Sequence, residues 1–302
     1  MNPLRISIVQ YLNTAPLVRG FTHGPLYGKY QLSFTVPSQC AEALRVGEVD
    51  IAIIPAIELQ RIDGLVALPN LSIASKKSVR SLLLVSRKPI REVRRIALDR
   101  SSRSTQALVR ILCAQCWHTT PEFFEAAPDL PVMLRESDAA LLIGDPALRL
   151  ALHCEMHTSR DVSGENTFPA GIAGISSATP LFVYDIVEQW RALTSLPAVL
   201  ALWAARPNRV TPEVLRDFQD SLAFGQRHLD EISAEASGEL RLPAEKIKRY
   251  LAENIDYTLD QENLDGLGRY FQLAFEVGLI PQAKPLEITG VEPSREFAAR
   301  RS

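Results

Sequence analysis

The sequence predicts an α/β protein of two lobes with a ligand cleft between them. Three observations carry this. Short apolar runs at residues 4–9, 50–55, 95–99 and 139–143 read as strands and alternate with helical patterns, the signature of largely parallel α/β sheets. A further apolar run, residues 197–203, precedes a mostly helical C-terminal region, as in a chain that crosses to a second lobe and returns. Four polar blocks sit at strand ends or helix starts: Tyr11-Leu12-Asn13-Thr14, Val79-Arg80-Ser81, residues 99–105, and Leu142-Ile143-Gly144-Asp145-Pro146. Ligands of open α/β sheets bind at such ends, and clefts between lobes are common ligand sites.

The elements follow in order. Residues 4–9 form the first strand, and Asn13-Thr14-Ala15-Pro16 then starts a turn or short helix. Ser38 suits the N-cap of a helix through Cys40, Ala41 and Leu44 that stops near Gly47. Residues 50–55 are a continuous apolar strand, expected where both sheet faces are covered. Residues 79–86 and 95–99 are further strands, and Ser104 begins a helix ending near Trp117. After the strand at 139–143, Asp145 suits N-cap and Pro146 the first helical position. Residues 160–180 read as loop and 181–193 as helix. Helices then open at Pro212 and Pro243, and 259–279 carries Leu264, Leu267, Tyr270, Phe271, Ala274 and Phe275 at helical spacing. Such stripes are usually core. The tail after Pro285 is expected to be mobile.

Composition sets outer limits. A chain of 302 residues, 46% apolar and 23% charged, matches an ordinary globular protein of about two domains. No apolar run reaches the ~18–20 residues of a membrane span. The N-terminal residues lack the h-region and cleavage site of a secretory signal, so a cytoplasmic location is expected. The net charge of -2 argues against a nucleic-acid binder. Residues 76–103 nevertheless hold ten basic side chains and two acidic ones. That segment either draws in an anionic ligand or forms a solvated surface.

Cys113 and Cys116 form a C-x-x-C without a second pair, and His153 and His157 are spaced i,i+4 with Cys154 where a zinc H-E-x-x-H has glutamate. Small helix-face residues are the plainer reading of both. No metal or organic cofactor is implied.

The polar blocks carry the chemistry. Residues 99–105 end a strand, supply Ser101, Ser102, Ser104 and Thr105, and start a helix. Free helix N–H groups and hydroxyls there suit a carboxylate, beyond what one N-cap needs. Ser81 sits in an apolar stretch and can donate to a ligand, with Arg80 on the opposite face by strand alternation. Asn13 can both donate and accept, or serve as a turn residue before Pro16. Asp145 reads as a cap whose charge the helix start stabilises. That makes it a poor general base unless its pKa is raised.

These blocks, in this order, resemble the chorismate dehydratases of the futalosine route to menaquinone (the MqnA family). The resemblance also takes in Pro37-Ser38, residues 50–55, 138–145, Leu196-Pro197 and Trp203-Ala204, and so runs over nearly the whole chain. It implies a type II periplasmic-binding-protein-like fold, two α/β lobes joined by two hinge crossings. On this chain the lobes fall at 1–88 plus 200–302 and at 89–199. It implies loss of water from chorismate, a small dianion, to give 3-[(1-carboxyvinyl)oxy]benzoate. It marks Asn13 as catalytic, and Ser81, Ser102, Ser104, Thr105, Gly144 and Asp145 as substrate contacts. With no histidine or glutamate in the blocks, the substrate's own enolpyruvyl carboxylate is expected to take the proton while Asn13 orients it or the departing hydroxyl. Two alternatives stand beside this. One is the naphthoate synthase of the same pathway, whose N-terminal motif differs from Tyr11-Leu12-Asn13-Thr14. The other is a cytosolic small-carboxylate-binding protein without catalysis. Neither nucleic acid nor membrane is an expected partner, and the oligomeric state is not legible.

Overall fold

The computed structural model describes residues 3–154, 159–160, 166–168, 175 and 180–290. The chain opens with β1 (Arg5–Val9), a 3-10 turn (Leu12–Thr14) and α1 (Ala15–Thr22). It continues through β2 (Gln31–Thr35), α2 (Pro37–Arg45), β3 (Ile51–Pro55), α3 (Glu58–Arg61) and β4 (Val66–Ser75). Then follow β5 (Leu82–Ser86), β6 (Arg95–Asp99), α4 (Arg103–Leu112), β7 (Glu122–Ala126), α5 (Leu130–Glu136), β8 (Ala139–Ile143) and α6 (Gly144–Cys154). β9 (Ser159–Arg160), β10 (Asn166–Phe168), β11 (Leu181–Asp185), α7 (Ile186–Thr194) and β12 (Ala198–Ala205) come next. The C-terminal helices are α8 (Pro212–Arg227), α9 (Leu229–Leu240), α10 (Ala244–Arg249) and α11 (Gln261–Glu276).

The strands form two sheets, ordered β2-β1-β3-β12-β4 and β7-β6-β8-β5-β11-β10-β9. Both are mixed rather than largely parallel. β1 lies parallel to β2 and β3, while the returning β12 runs antiparallel between β3 and β4. In the second sheet β6 is parallel to β7 and β8, and β5 is antiparallel to β8 and β11. The chain passes between sheets at residues 76–81 and again at 186–197. Strand β5, expected with the first lobe, thus pairs wholly within the second sheet.

Several local expectations are corrected. Ser81 precedes β5 instead of lying within a strand, and Arg80 is left-handed (φ 59°), so strand alternation does not orient either residue. Residues 181–193 divide into β11 and α7 at Asp185, whose carboxylate caps the helix through the Val187 and Glu188 N–H groups. α2 starts at Pro37 with Val36 at N-cap, leaving Ser38 inside the first turn. β10 replaces loop at Asn166–Phe168. Residues 287–289 are tied to Ala67 by backbone hydrogen bonds, Ala67 N–H to Glu287 and Thr289 N–H to Ala67. Most of the remainder of 160–180, the side chain of Cys154, and His157 lie outside the described residues.

The larger hydrophobic core runs from Ile6, Ile8 and Ile53 of the first sheet through Trp190 and Trp203 to Ile96, Leu141 and Tyr270. A smaller cluster on the far face of the second sheet joins Leu83, Val85 and Ala97 to Leu130, Met133 and Leu134 of α5. Continuous apolar packing between the two sheets holds the strand ends of both halves face to face. No helix among the described residues is long and apolar enough to cross a membrane.

Candidate functional site

Hydrogen bonds join all four polar blocks. The 3-10 turn after β1 meets the fourth block where the Leu12 N–H donates to Asp145 Oδ1 at 3.0 Å. It meets the third block where the Tyr11 hydroxyl lies 3.2 Å from Ser101 Oγ. The second and fourth blocks join where the Gly144 N–H donates to the Ser81 carbonyl at 2.8 Å. The first and second are bridged by a side chain from the C-terminal helices, Tyr250. Its hydroxyl donates to Ser81 Oγ at 2.9 Å, and the Asn13 side chain is near enough to pull the phenol's pKa down, against the dominant rise from burial.

Gly144 shows why that residue type stands there. Its φ is +64°, and a Cβ would sit 2.8 Å from three carbons of the Tyr11 ring. Only glycine combines that backbone with that approach at little cost. The Tyr11 hydroxyl is pushed up to about 12, chiefly by burial. Asp145 lies in the first turn of α6, and the Leu12 bond carries its carboxylate across to the first sheet's block. Burial raises its pKa, against the pull of the Leu12 N–H and Arg149. The expectation of a carboxyl held low by its helix start is therefore reversed in direction.

Ser81 is fully buried, with its position set by the crossing on which it rides. Asp185, at the end of β11, accepts the N–H groups of Val79 and Arg80 on one oxygen and those of Val187 and Glu188 on the other. One carboxylate thus clamps both crossings. Burial pushes its pKa up to about 7, against those N–H donors.

The start of α4 is arranged differently. Ser102 is the N-cap, accepting the Thr105 N–H at 3.4 Å and donating to Thr105 Oγ1 at 2.8 Å. Ser104 Oγ accepts the Ile57 N–H at 3.2 Å, and its carbonyl accepts the Tyr270 hydroxyl at 3.0 Å. Ser101 is bound through N–H and hydroxyl to Asp99 Oδ1. The hydroxyls of Ser104 and Thr105 accept in these bonds and so retain a proton each to donate.

Several basic groups of residues 76–103 are committed to ion pairs: Lys76 with Asp256, Asp260 and Glu262, Lys88 with Asp138, Arg103 with the fully buried Glu58. Arg100 and Arg103 line a cavity of about 400 Å³ beside Tyr11, Ser38 and Ser101. Cys113 is buried with its thiol pushed up to about 11. No cluster of three potential metal ligands occurs among the described residues.

Tyr250 stands with Ile247 and Leu251 in the helical stretch that opens at Pro243. A tyrosine there signals a hydroxyl in need of a buried partner, but not which one. Asp185 gave no signal, because residues 181–193 read as one helix.

The family model described as menaquinone biosynthesis matches residues 4–276. The chorismate dehydratase of Thermus thermophilus is 26% identical over 271 residues, 88% of this chain and 93% of that protein. Among solved structures, a protein from Archaeoglobus fulgidus superposes with a TM-score of 0.68 at 19% identity, covering 92% of this chain and 98% of its own. The alkanesulfonate-binding protein SsuA of Xanthomonas axonopodis gives 0.60 at 14% identity, with 93% and 95% covered. At these identities the structures speak for the fold, which is periplasmic-binding-protein-like with two α/β lobes. Matched from its first strand to its last helix, the chain belongs to the menaquinone biosynthesis family.

Proposed function

We propose that the chain is a chorismate dehydratase, a carbon–oxygen lyase of the futalosine route that converts chorismate to 3-[(1-carboxyvinyl)oxy]benzoate. The observation that carries this reading is the polar group Asn13, Tyr250 and Ser81 at the meeting of the strand ends, with Tyr250 and Ser81 fully buried and Asn13 half-buried. Similarity to a chorismate dehydratase supports the substrate.

The chemistry suits such a site. The C3–H bond breaks, its electron pair forms the C3–C4 double bond, and the C4–O bond breaks. The enolpyruvyl carboxylate takes the proton and passes it to the departing hydroxide, which leaves as water. Charge developing at C3 spreads through the adjoining double bond into the ring carboxylate. Donors at that carboxylate stabilise the transition state more than the ground state, and the Ser104 and Thr105 hydroxyls have the protons to supply. Asn13 orients the reacting groups, so positioning does most of the work. Asp145 serves as a tether because its carboxylate is engaged by Leu12. The reaction takes a small dianion, and a place in menaquinone synthesis supports a cytoplasmic location.

Incubation of the purified protein with chorismate, without added metal or cofactor, tests this. Appearance of the aromatic product at a catalytic rate is the expected result. Tight chorismate binding by folded protein without product would replace the enzyme reading with that of a carboxylate-binding protein.

A further inference from the structure

Tyr250 opens a π turn, Tyr250–Asn254, at the end of α10. Such one-turn widenings are frequent at functional sites. This one grips the first crossing at two points. Tyr250 holds Ser81, and four residues on Asn254 Nδ2 donates to the Ser78 carbonyl at 2.9 Å. The C-terminal helices therefore reach the crossing that carries Ser81 through polar contacts as well as apolar packing.

Proton counting gives those contacts a direction. A phenol has one proton to donate, and Tyr250 gives it to Ser81 Oγ. Its oxygen is then left as an acceptor toward the Asn13 amide, which acts on the phenol as a donor does, and this turns Nδ2 toward Tyr250. The Thr14 hydroxyl, 3.5 Å from Asn13 Oδ1, fits the same orientation. Asn13 is left with one N–H and a carbonyl oxygen of defined direction. Ser81, already accepting, is left to donate its own proton onward. Without the phenol, the Asn13 amide can flip and Ser81 can turn its proton back.

We propose that Tyr250 is a positioning residue, which sets the amide orientation of Asn13 and the proton direction of Ser81. This rests on the dehydratase reading. The test is Tyr250→Phe, which keeps the ring and removes only the hydroxyl. The expected result is a fall in kcat of roughly 10–100-fold with KM for chorismate within about threefold, since orientation acts on the reacting geometry. In an Asn13→Ala background the same change lowers kcat by less than about twofold, because the group it acts through is gone. An unchanged kcat, or the same loss in both backgrounds, overturns the proposal.

Should Tyr250→Phe fail to fold, Ser81→Ala removes the phenol's acceptor and keeps the ring. Its kcat loss is expected to shrink in the Asn13→Ala background, and full additivity overturns the relay. Should the wild-type chain not turn over chorismate, the dehydratase reading fails by itself, and the relay is then read without substrate. The Asn13 side-chain amide resonances shift in Ser81→Ala or Tyr250→Phe if the relay exists; resonances that stay in place in both variants refute it.

Discussion

Two walls of the site treat their hydroxyls in opposite ways. At the start of α4, Ser101 and Ser102 spend their hydroxyl protons within the fold, on Asp99 and Thr105, and Ser104 is held by the Ile57 N–H. Between the first crossing and the C-terminal helices, Tyr250 donates to Ser81 and faces the Asn13 amide, and the two ends keep unused donors and acceptors. The serine-rich block has more hydroxyls, yet the sparser wall has the freer ends. Counting polar residues in a motif therefore overstates its capacity for ligand when the same residues cap helices and hold neighbouring loops.

Substitutions can break that contrast. The largest effect is expected for Asn13→Ala, a loss in kcat on the order of 10²–10³-fold, the scale of removing one aligned polar group from a transition state. Steady-state kinetics with chorismate read it directly, and near-full turnover would move the working wall elsewhere. Ser104→Ala is expected to lower kcat by less than Asn13→Ala and to cost stability as well. It leaves the buried Ile57 N–H without its acceptor, at about 1–3 kcal/mol, measured by urea unfolding. A greater loss in kcat than in Asn13→Ala, with unchanged stability, would reverse the two walls. Ser102→Ala is the mildest, removing an N-cap worth about 1 kcal/mol, with most of the effect in the unfolding midpoint.

The sequence showed the parts of the fold that burial dictates. β1, β3, β6, β8 and β12 are buried strands of near-continuous apolar residues, and each was legible as such. The edge strands β2 (QLSFT) and β7 (EFFEA) face solvent and carry too little apolar pattern to stand out. β4 was hidden by Pro69 and the left-handed Asn70 within it, which look like a turn and fall where its register against β12 shifts. β11 and α7 merged because the strand runs into its helix with no loop between them.

The site divides along the same line. Asn13, Ser81 and Gly144 could be singled out locally, because each is a polar or flexible residue beside an apolar run. Their junction could not. Tyr250 is 169 residues from Ser81 in sequence, and its hydroxyl is polar within an otherwise apolar stripe. The role of Asp145 also depends on a partner distant in sequence. Its helix-start position suggested a cap, whereas its carboxylate reaches Leu12, 133 residues away.

The most direct test of the account is chorismate turnover measured in parallel for the wild-type chain and Asp145→Asn. An asparagine Oδ1 can still accept the Leu12 N–H, so the variant keeps the tether and loses only the titratable carboxylate. The account predicts aromatic product from both, with kcat within about tenfold, as expected when no side-chain carboxylate takes the proton. A loss near ten-thousand-fold with unchanged binding would make Asp145 the base. Absence of product from a folded, chorismate-binding wild-type chain would contradict the function itself.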